Sequence, residues 1–386
     1  MGVLWEPVLD EAGQRWLARA RELAETQFAP LAEELDREQR YPWEHVQSLV
    51  DSGLTGMFVP TEYGGLGLAM TTIAAITEEV SRACSSTGAI LAAYELGAVP
   101  VLLAGTEEQK RTLLGDLLRG KAISFALTEV GAGSDAAAIR TTAEREGDGW
   151  RLRGEKIYIG NGGASTHYVV FAKTDPAAGA RGITAFLVRK DTDGVVIDRY
   201  EDKMGLRGTL TSNLKLDTWV PESAILGEPG RGLRLALQTL DVGRVSVAAQ
   251  ALGLATAAFT LASQEAGRRT PFGKSLLEYQ GISFRLADVA TELTAARLLT
   301  YQAAGAYDRG ERISTIGAMA KLYASEVAHR AADLAVQVYG GDGYCRPCPA
   351  ERLYRDQRIL EIYEGTSEIQ RVVISRAIAA ELVPTP

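Results

Sequence analysis

The sequence predicts an α+β protein that is mostly α: a helical domain over 1–120, a small antiparallel β domain over 121–230 and a second helical domain over 231–386. Three observations predict it. Apolar residues recur at helical spacing at both ends of the chain, short β-prone runs fill the middle, and only tight-turn signals separate those runs. At 386 residues the chain is also longer than one hydrophobic core usually serves, so two or three structural units are expected.

In the first domain Trp16, Ala20, Leu23 and Ala24 share one helical face, with Glu and Arg filling the rest. The segment Val59-Pro60-Thr61-Glu62-Tyr63-Gly64-Gly65 breaks the helical pattern, and Thr106-Glu107-Glu108-Gln109 has the form of a capping box that opens the next helix. From Ile123 the character changes. Strand-like runs cover Ile123–Leu127, Trp150–Leu152, Lys156–Ile159, Tyr168–Phe171, Ile183–Val188, Val195–Ile197 and Leu214–Leu216. Turn signals at Gly147-Asp148-Gly149 and Asp191-Thr192-Asp193-Gly194 leave room only for hairpins, which implies an antiparallel sheet or barrel. From Gly232 the helical period returns, with apolar stripes at Leu233, Leu237 and Leu240 and at Leu286, Val289, Leu293 and Ala296. Gly310 and the pair Gly340-Gly341 stand where helix ends need a left-handed residue.

Composition removes several function classes. The net charge of −8 is the wrong sign for a nucleic-acid surface. No run of about 18 consecutive apolar residues occurs, so no membrane span is expected. Glu6, Asp10, Glu11, Glu22 and Glu25 make the first thirty residues acidic, unlike a secretory or transit leader, and a cytoplasmic location is the simplest expectation. Three cysteines make no disulfide framework. Cys345 and Cys348, in Cys-Arg-Pro-Cys, lack the two further ligands a zinc site needs, so no metal is expected and they read as two loop thiols. His45, His167 and His329 lie in different segments, and no nucleophile elbow or Walker lysine is present.

Two stretches could carry chemistry. Gly131, Gly133 and Ala136 satisfy the spacing of a dinucleotide fingerprint, but a hairpin signal follows within about ten residues where a Rossmann unit needs a long helix. What remains is either a glycine-rich loop that lets backbone approach a cofactor or a structural turn. Glu364 precedes a helix start at which Ser367 and Gln370 form an S-x-x-Q capping box. A carboxylate there is stabilised by the helix dipole, so on local physics alone Glu364 reads as a helix-end charge before it reads as a catalyst. Arg244 and Arg269 have equally ordinary surface readings.

Seven stretches taken together resemble the acyl-CoA dehydrogenase family, in its order and at its spacing. They are Phe125–Asp135, Lys156–Gly162, Lys203-Met204-Gly205-Leu206-Arg207-Gly208, Leu240–Arg244, Arg269–Lys274, Gln337–Gly341 and Ile362–Arg371. Leu240–Arg244 and the stretch from Ala350-Glu351-Arg352 to Arg371 are most similar to the short-chain, butyryl type. The resemblance implies that the C-terminal helices form a four-helix bundle, that FAD lies between this bundle and the β domain, and that the chain assembles as a homotetramer. By position it implies that Phe125, Leu127, Thr128, Gly133, Ser134, Tyr158, Ile159 and Gly160 contact the flavin side. Arg269, Phe272, Gln280, Gln337, Val338, Gly340 and Gly341 would reach the dinucleotide of a neighbouring subunit, and Thr366 and Glu368 would approach FAD again. Glu364 becomes the base that removes an α-proton, and Ser134, Asp241, Arg244, Tyr363 and Gly365 would surround an acyl-CoA or a carrier-bound acyl thioester. An electron-transfer flavoprotein is the implied electron acceptor.

The sequence departs from the family pattern at two of these positions. Val130 stands where the family usually has proline, and Gly160 where it usually has threonine. Glycine at the second position is a feature of acyl-CoA oxidases, which makes oxygen an alternative acceptor.

Overall fold

A computed structural model describes residues 4–382. Six helices come first: α1 Glu11–Leu23, α2 Ala29–Glu38, α3 Trp43–Asp51, α4 Met70–Ala83, α5 Ser85–Ala104 and α6 Glu107–Leu117. The capping box of α6 forms as its sequence predicts: the Thr106 hydroxyl accepts from the Gln109 amide, and the Gln109 side chain accepts from the Thr106 amide. The expected break at residues 59–65 is a short 3₁₀ turn at Thr61–Tyr63. Ala20, Leu23 and Ala24 are buried, with Trp16 packed against the same core.

The middle domain contains β1 Ile123–Ala126, β2 Thr142–Glu146, β3 Gly149–Ile159, β4 His167–Lys173, β5 Ile183–Arg189, β6 Val195–Tyr200, β7 Ser212–Pro221 and β8 Ile225–Leu226. They form one sheet in the order β6-β7-β3-β2-β4-β5-β8, with β1 paired to β4. The sheet is antiparallel, as the hairpin signals predict, apart from two parallel contacts: β1 along β4, and Thr142 of β2 beside Lys173 of β4. The runs Trp150–Leu152 and Lys156–Ile159 belong to one strand, and its register shifts between Lys156 and Ile159. That irregularity re-aims the side chains just before Gly160.

The chain then returns to helices: α7 Gly232–Arg268, α8 Gln280–Asp308, α9 Ser314–Tyr339, the short α10 Gly341–Tyr344, α11 Pro349–Gln357 and α12 Ser367–Leu382. Helix α7 is central, packing on α9 and α8 of its own bundle and on α4 and α5 of the first domain. Leu286, Val289, Leu293 and Ala296 are the buried face of α8, as predicted. At the start of α7 the buried residues are Leu235, Ala236 and Thr239, whereas Leu237 is exposed, because this turn rests on the sheet and not on the bundle. Gly310 and Gly340 both have positive φ after a helix end, while Gly341 begins α10. Two helices, α5 and α7, are long and apolar enough to cross a bilayer, although no uninterrupted apolar run marks them. Their most apolar windows are 67% and 78% buried within the fold, so they act as core helices of this molecule.

Three ties fix the domains on one another. Gly97 lets α5 lie so close to β1 that any side chain there would overlap the Ile123 carbonyl. Between β6 and β7, Leu206 N donates to Asp356 Oδ1 of α11 at 2.7 Å. Arg355 donates to Met204 O and, through both terminal nitrogens, to the Asp36 carboxylate of α2. The stretch Lys203–Gly208 thus serves the fold by locking the sheet to both helical domains.

Candidate active site

The segment Ile362–Thr366 crosses from a 3₁₀ turn at Arg358–Glu361 to α12 in an unusual backbone conformation. Glu364 has φ 51° and Gly365 φ 98°, so a non-glycine residue occupies the left-handed region. Such strain persists only where surrounding contacts determine it. Lys321 Nζ of α9 donates to Gly365 O at 2.8 Å, and Gln370 Nε2 donates to the carbonyls of Glu364 and Gly365 at 3.4 and 2.8 Å. The helix start differs from the predicted capping box by one residue. Thr366 is the cap, its hydroxyl accepting from Ile369 N at 3.3 Å, while the buried Ser367 hydroxyl has no partner. Gln370 is thereby free to brace the loop from below.

This geometry turns the Glu364 carboxylate against α7. A side chain at Gly243 would overlap Glu364 Oε2 and stand 3.0 Å from its Cδ, so α7 accommodates the carboxylate only because residue 243 is glycine. Glu364 Oε2 is closed off from solvent and has no hydrogen-bond partner. Burial and the nearby Glu95 carboxyl raise Glu364 to about 7, against the opposing pull of Lys321 and Arg244. Burial lowers the Lys321 ammonium to about 8 and raises Glu95 to about 7. The Glu364 amide donates to no acceptor among the described residues, although both carbonyls that follow it are engaged. A high-lying unpartnered carboxylate next to a free N–H is a base beside an oxyanion donor.

Of the other predicted substrate residues, Arg244 is buried and donates to Asp241 Oδ1 at 2.5 Å, leaving its Nε without a partner. Asp241 also accepts from the Ser314 hydroxyl. Tyr363 is committed elsewhere: its hydroxyl donates to Gln250 Oε1 at 2.7 Å and its ring packs on the helical core, anchoring the Glu364 loop. Ser134 is exposed on the glycine-rich loop.

That loop, residues 128–141, is held open from beneath. Glu129 accepts from the backbone amides of Arg140 and Thr141 and from the Thr141 hydroxyl. Lys156, fully buried on β3, donates to Glu129 at 2.6 Å and to the carbonyls of Leu127 and Phe171 at 3.1 and 2.7 Å. Removing one partner of such a buried pair typically costs about 3–5 kcal/mol. Above the brace, Gly131, Gly133 and Gly160 face open space, with no atom within 4 Å of where a side chain would begin. Tyr158 is exposed, with φ 59°, and its amide donates to Asn213 Oδ1 at 3.0 Å. The turn after it is pinned by the Ser124 hydroxyl, which donates to Gly160 O at 2.7 Å. An exposed aromatic ring beside a glycine cradle fits a flat aromatic cofactor approached by backbone. Leu127 and Ile159 turn their side chains into the core, and the half-buried Phe125 ring packs on Phe171, so these three meet a ligand chiefly through backbone.

A separate group gathers at the far end of α7. Arg269 Nη1 donates to the carbonyls of Val338 and Tyr339 at 3.3 and 3.4 Å, beside Gly340. Phe272 is 96% exposed in the left-handed region, Gln280, Gln337 and Gly341 are exposed, and the Val338 side chain is buried. Arg244 and Arg268 are 24 residues apart on one continuous helix, roughly 36 Å at the helical rise. The Arg269 group therefore cannot serve the same pocket as Arg244 within one chain. Thr366 and Glu368 remain with Glu364 at the start of α12.

Sequence reasoning missed Glu95, Lys321, Gly243 as a space-giver, and the Glu129–Lys156 brace. Their signal is a lone charge in an apolar helix: Glu95 in Ala92–Pro100, and Lys321 in Ile316–Ala324.

Over residues 10–121, 124–219 and 230–379 the sequence matches, in turn, the N-terminal, middle and C-terminal domains of acyl-CoA dehydrogenase. The chain belongs to the acyl-CoA dehydrogenase family. The family's enzymes are flavin-dependent oxidoreductases of fatty-acid metabolism, and this member is one of them. It is 46% identical to the mitochondrial short-chain specific acyl-CoA dehydrogenase of Homo sapiens, over 95% of this chain and 90% of the human one. The fold superposes on butyryl-CoA dehydrogenase from Megasphaera elsdenii with a TM-score of 0.94 at 39% identity, covering 97% and 100% of the two chains. It superposes on the prolyl acyl carrier protein oxidase AnaB with a TM-score of 0.93 at 29% identity, covering 96% and 100%.

Proposed function

We propose that this enzyme catalyses the FAD-dependent α,β-dehydrogenation of a short saturated acyl-CoA, giving the trans-2-enoyl thioester, with Glu364 as the base. The observation that carries this reading is the Glu364 carboxyl: unpartnered, with Oε2 closed off from solvent, raised to about 7 and set in left-handed backbone against a glycine.

The α-proton of a saturated thioester is weakly acidic, so a base must act together with stabilisation of the enolate oxygen. The Glu364 carboxylate takes the proton, and its own free amide donates to the thioester carbonyl. Arg244, Asp241 and Ser134 orient the thioester, with Gly365 leaving the approach clear. Thr128, Gly133, Ser134, Tyr158 and Gly160, joined by the backbones of Phe125, Leu127 and Ile159, would hold the flavin end of FAD, with Thr366 and Glu368 closing on it. Bound there, the flavin supplies the oxidising power of the reaction by accepting the β-hydrogen as hydride. Arg269, Phe272, Gln280 and Gln337, with the Val338–Gly341 turn, would hold the dinucleotide of a neighbouring copy in a homotetramer. The 36 Å along α7 supports that division of labour.

The test is anaerobic bleaching of the flavin by acyl-CoA thioesters. Wild-type protein should bleach with butanoyl-CoA, and Glu364→Gln should bind flavin and thioester yet bleach at least about a thousandfold more slowly. Normal bleaching by that variant removes Glu364 from the chemistry.

An electron-transfer flavoprotein is the acceptor we favour. Oxygen is the second reading, favoured by one observation: Gly160 is exposed and faces open space where the family's usual threonine would place a hydroxyl. The likeness to an acyl carrier protein oxidase likewise leaves a carrier-bound acyl thioester as the alternative substrate.

A further inference from the structure

Glu95 is an acid in the most apolar helix of the first domain, and its surroundings do not explain it as a structural group. It is 1% exposed. The Ser246 hydroxyl of α7 donates to its Oε2, while Oε1 is buried and has no partner. No Lys, Arg or His pairs with it among the described residues. A buried carboxyl that only supports a fold normally has its oxygens bonded or faces a cation. Half of this one is left unsatisfied, which calls for a reason beyond the fold.

Its position is fixed relative to the reacting carbons by α7. Glu364 Oε2 abuts Gly243, and the next α5 residue after Glu95, Leu96, also reaches Gly243. Ser246, which holds Glu95, is three residues further along α7, on the same face and about 4.5 Å on. Asp241, which accepts from Arg244, precedes Gly243 on α7, on the other side from Ser246 and on the side assigned above to the thioester. An acyl chain whose α-carbon meets Glu364 and whose thioester lies toward Asp241 therefore runs toward Glu95 and Ser246. The groups facing Glu95 are Ser246 from α7, Glu364 and, from α8, Tyr307, whose hydroxyl is raised first by burial and then by the nearby Glu95.

Resting on the dehydrogenase reading above, we propose that Glu95 with Ser246 forms a polar end to the acyl pocket, and that the preferred acyl group carries a hydrogen-bond donor, hydroxyl or amine, on its γ or δ carbon. A plain alkyl chain leaves Oε1 unpartnered, whereas a hydroxyl or ammonium supplies the missing bond. Sites built to bond a substrate hydroxyl reject the analogue lacking it more strongly than apolar pockets reject an extra methylene.

The experiment compares butanoyl-CoA, 4-hydroxybutanoyl-CoA and 4-aminobutanoyl-CoA by anaerobic flavin reduction in the FAD-loaded wild-type enzyme, in Glu95→Leu and in Glu95→Gln. Wild type should favour one donor-bearing thioester over butanoyl-CoA by roughly tenfold or more in kcat/KM, and Glu95→Leu should lower that ratio by at least about the same factor. Glu95→Gln keeps an acceptor oxygen in the same shape. It should retain a hydroxyl preference and lose an amine preference, which separates the two sources of the donor. A wild type that favours butanoyl-CoA, or a ratio that Glu95→Leu leaves unchanged, overturns the proposal while leaving dehydrogenation intact. Reduction by none of the three thioesters overturns the dehydrogenase reading, and this proposal with it.

Discussion

Gly243→Ala isolates the geometry of the base from its chemistry. The new methyl would overlap Glu364 Oε2 and stand 3.0 Å from Cδ and 3.2 Å from Leu96 Cδ1, inside ordinary van der Waals contact in every direction. The carboxylate is the far end of a side chain and can swing away, whereas α7 and α5 cannot move apart without opening the core they share. The base is thus driven back by roughly 1 Å, a misplacement that costs on the order of 10²-fold in rate. Stability should change little, because alanine in a helix interior gains about 0.5–1 kcal/mol over glycine and offsets the local crowding. The paired assay is stopped-flow bleaching with butanoyl-CoA and thermal unfolding of the same preparation. A rate loss of about a hundredfold with a melting temperature within about 3 °C of wild type is the expected result. A bleaching rate within threefold of wild type would refute the placement of the base against Gly243.

Three further outcomes follow from the same charges and the same cradle. Glu364 must be ionised to accept a proton, so kcat/KM should rise with pH and level off above about 7. Lys321 pulls that carboxyl down, so Lys321→Met should move the midpoint of the pH–rate profile upward; an unmoved or lowered midpoint contradicts the Lys321–Glu364 coupling. Aerobic turnover of wild type without an added acceptor should release hydrogen peroxide that falls in Gly160→Thr, if oxygen reaches the flavin through the space at Gly160. Negligible peroxide from both proteins leaves the electron-transfer flavoprotein as the acceptor.

What the sequence revealed and what it hid divide along a physical line. Elements with a strong local period were legible: the α8 stripe from Leu286 to Ala296, the α6 capping box and the hairpin turns all depend on residues within a few positions of each other. Pairings between distant residues were not legible. No local pattern announces that β1 runs parallel to β4, that α7 turns Leu235 and not Leu237 inward at its start, or that Thr366 and not Ser367 caps α12. The site divides likewise. Glu364 and the glycine loop were visible as a recurring set of motifs, yet the three groups that set the state of Glu364 come from three different helices. Lys321 and Glu95 are each one charge in an apolar run, and only the tertiary fold shows that both face residue 364.

That arrangement explains why a carboxylate can serve as the base for so weak an acid. Glu364 with its two cations alone would titrate low and hold a proton weakly, which makes a poor base toward an α-carbon. Buried without them, it would rise further and be protonated at neutral pH, with no vacancy for the proton it must take. Burial and Glu95 push upward, Lys321 and Arg244 pull downward, and the value near 7 is the balance of the two pairs. The balance also gives Glu95 a second consequence. A ligand that supplies a cation to Glu95 offsets its upward push, so an ammonium-bearing acyl group at the polar end of the pocket would favour the ionised form of the base that attacks it.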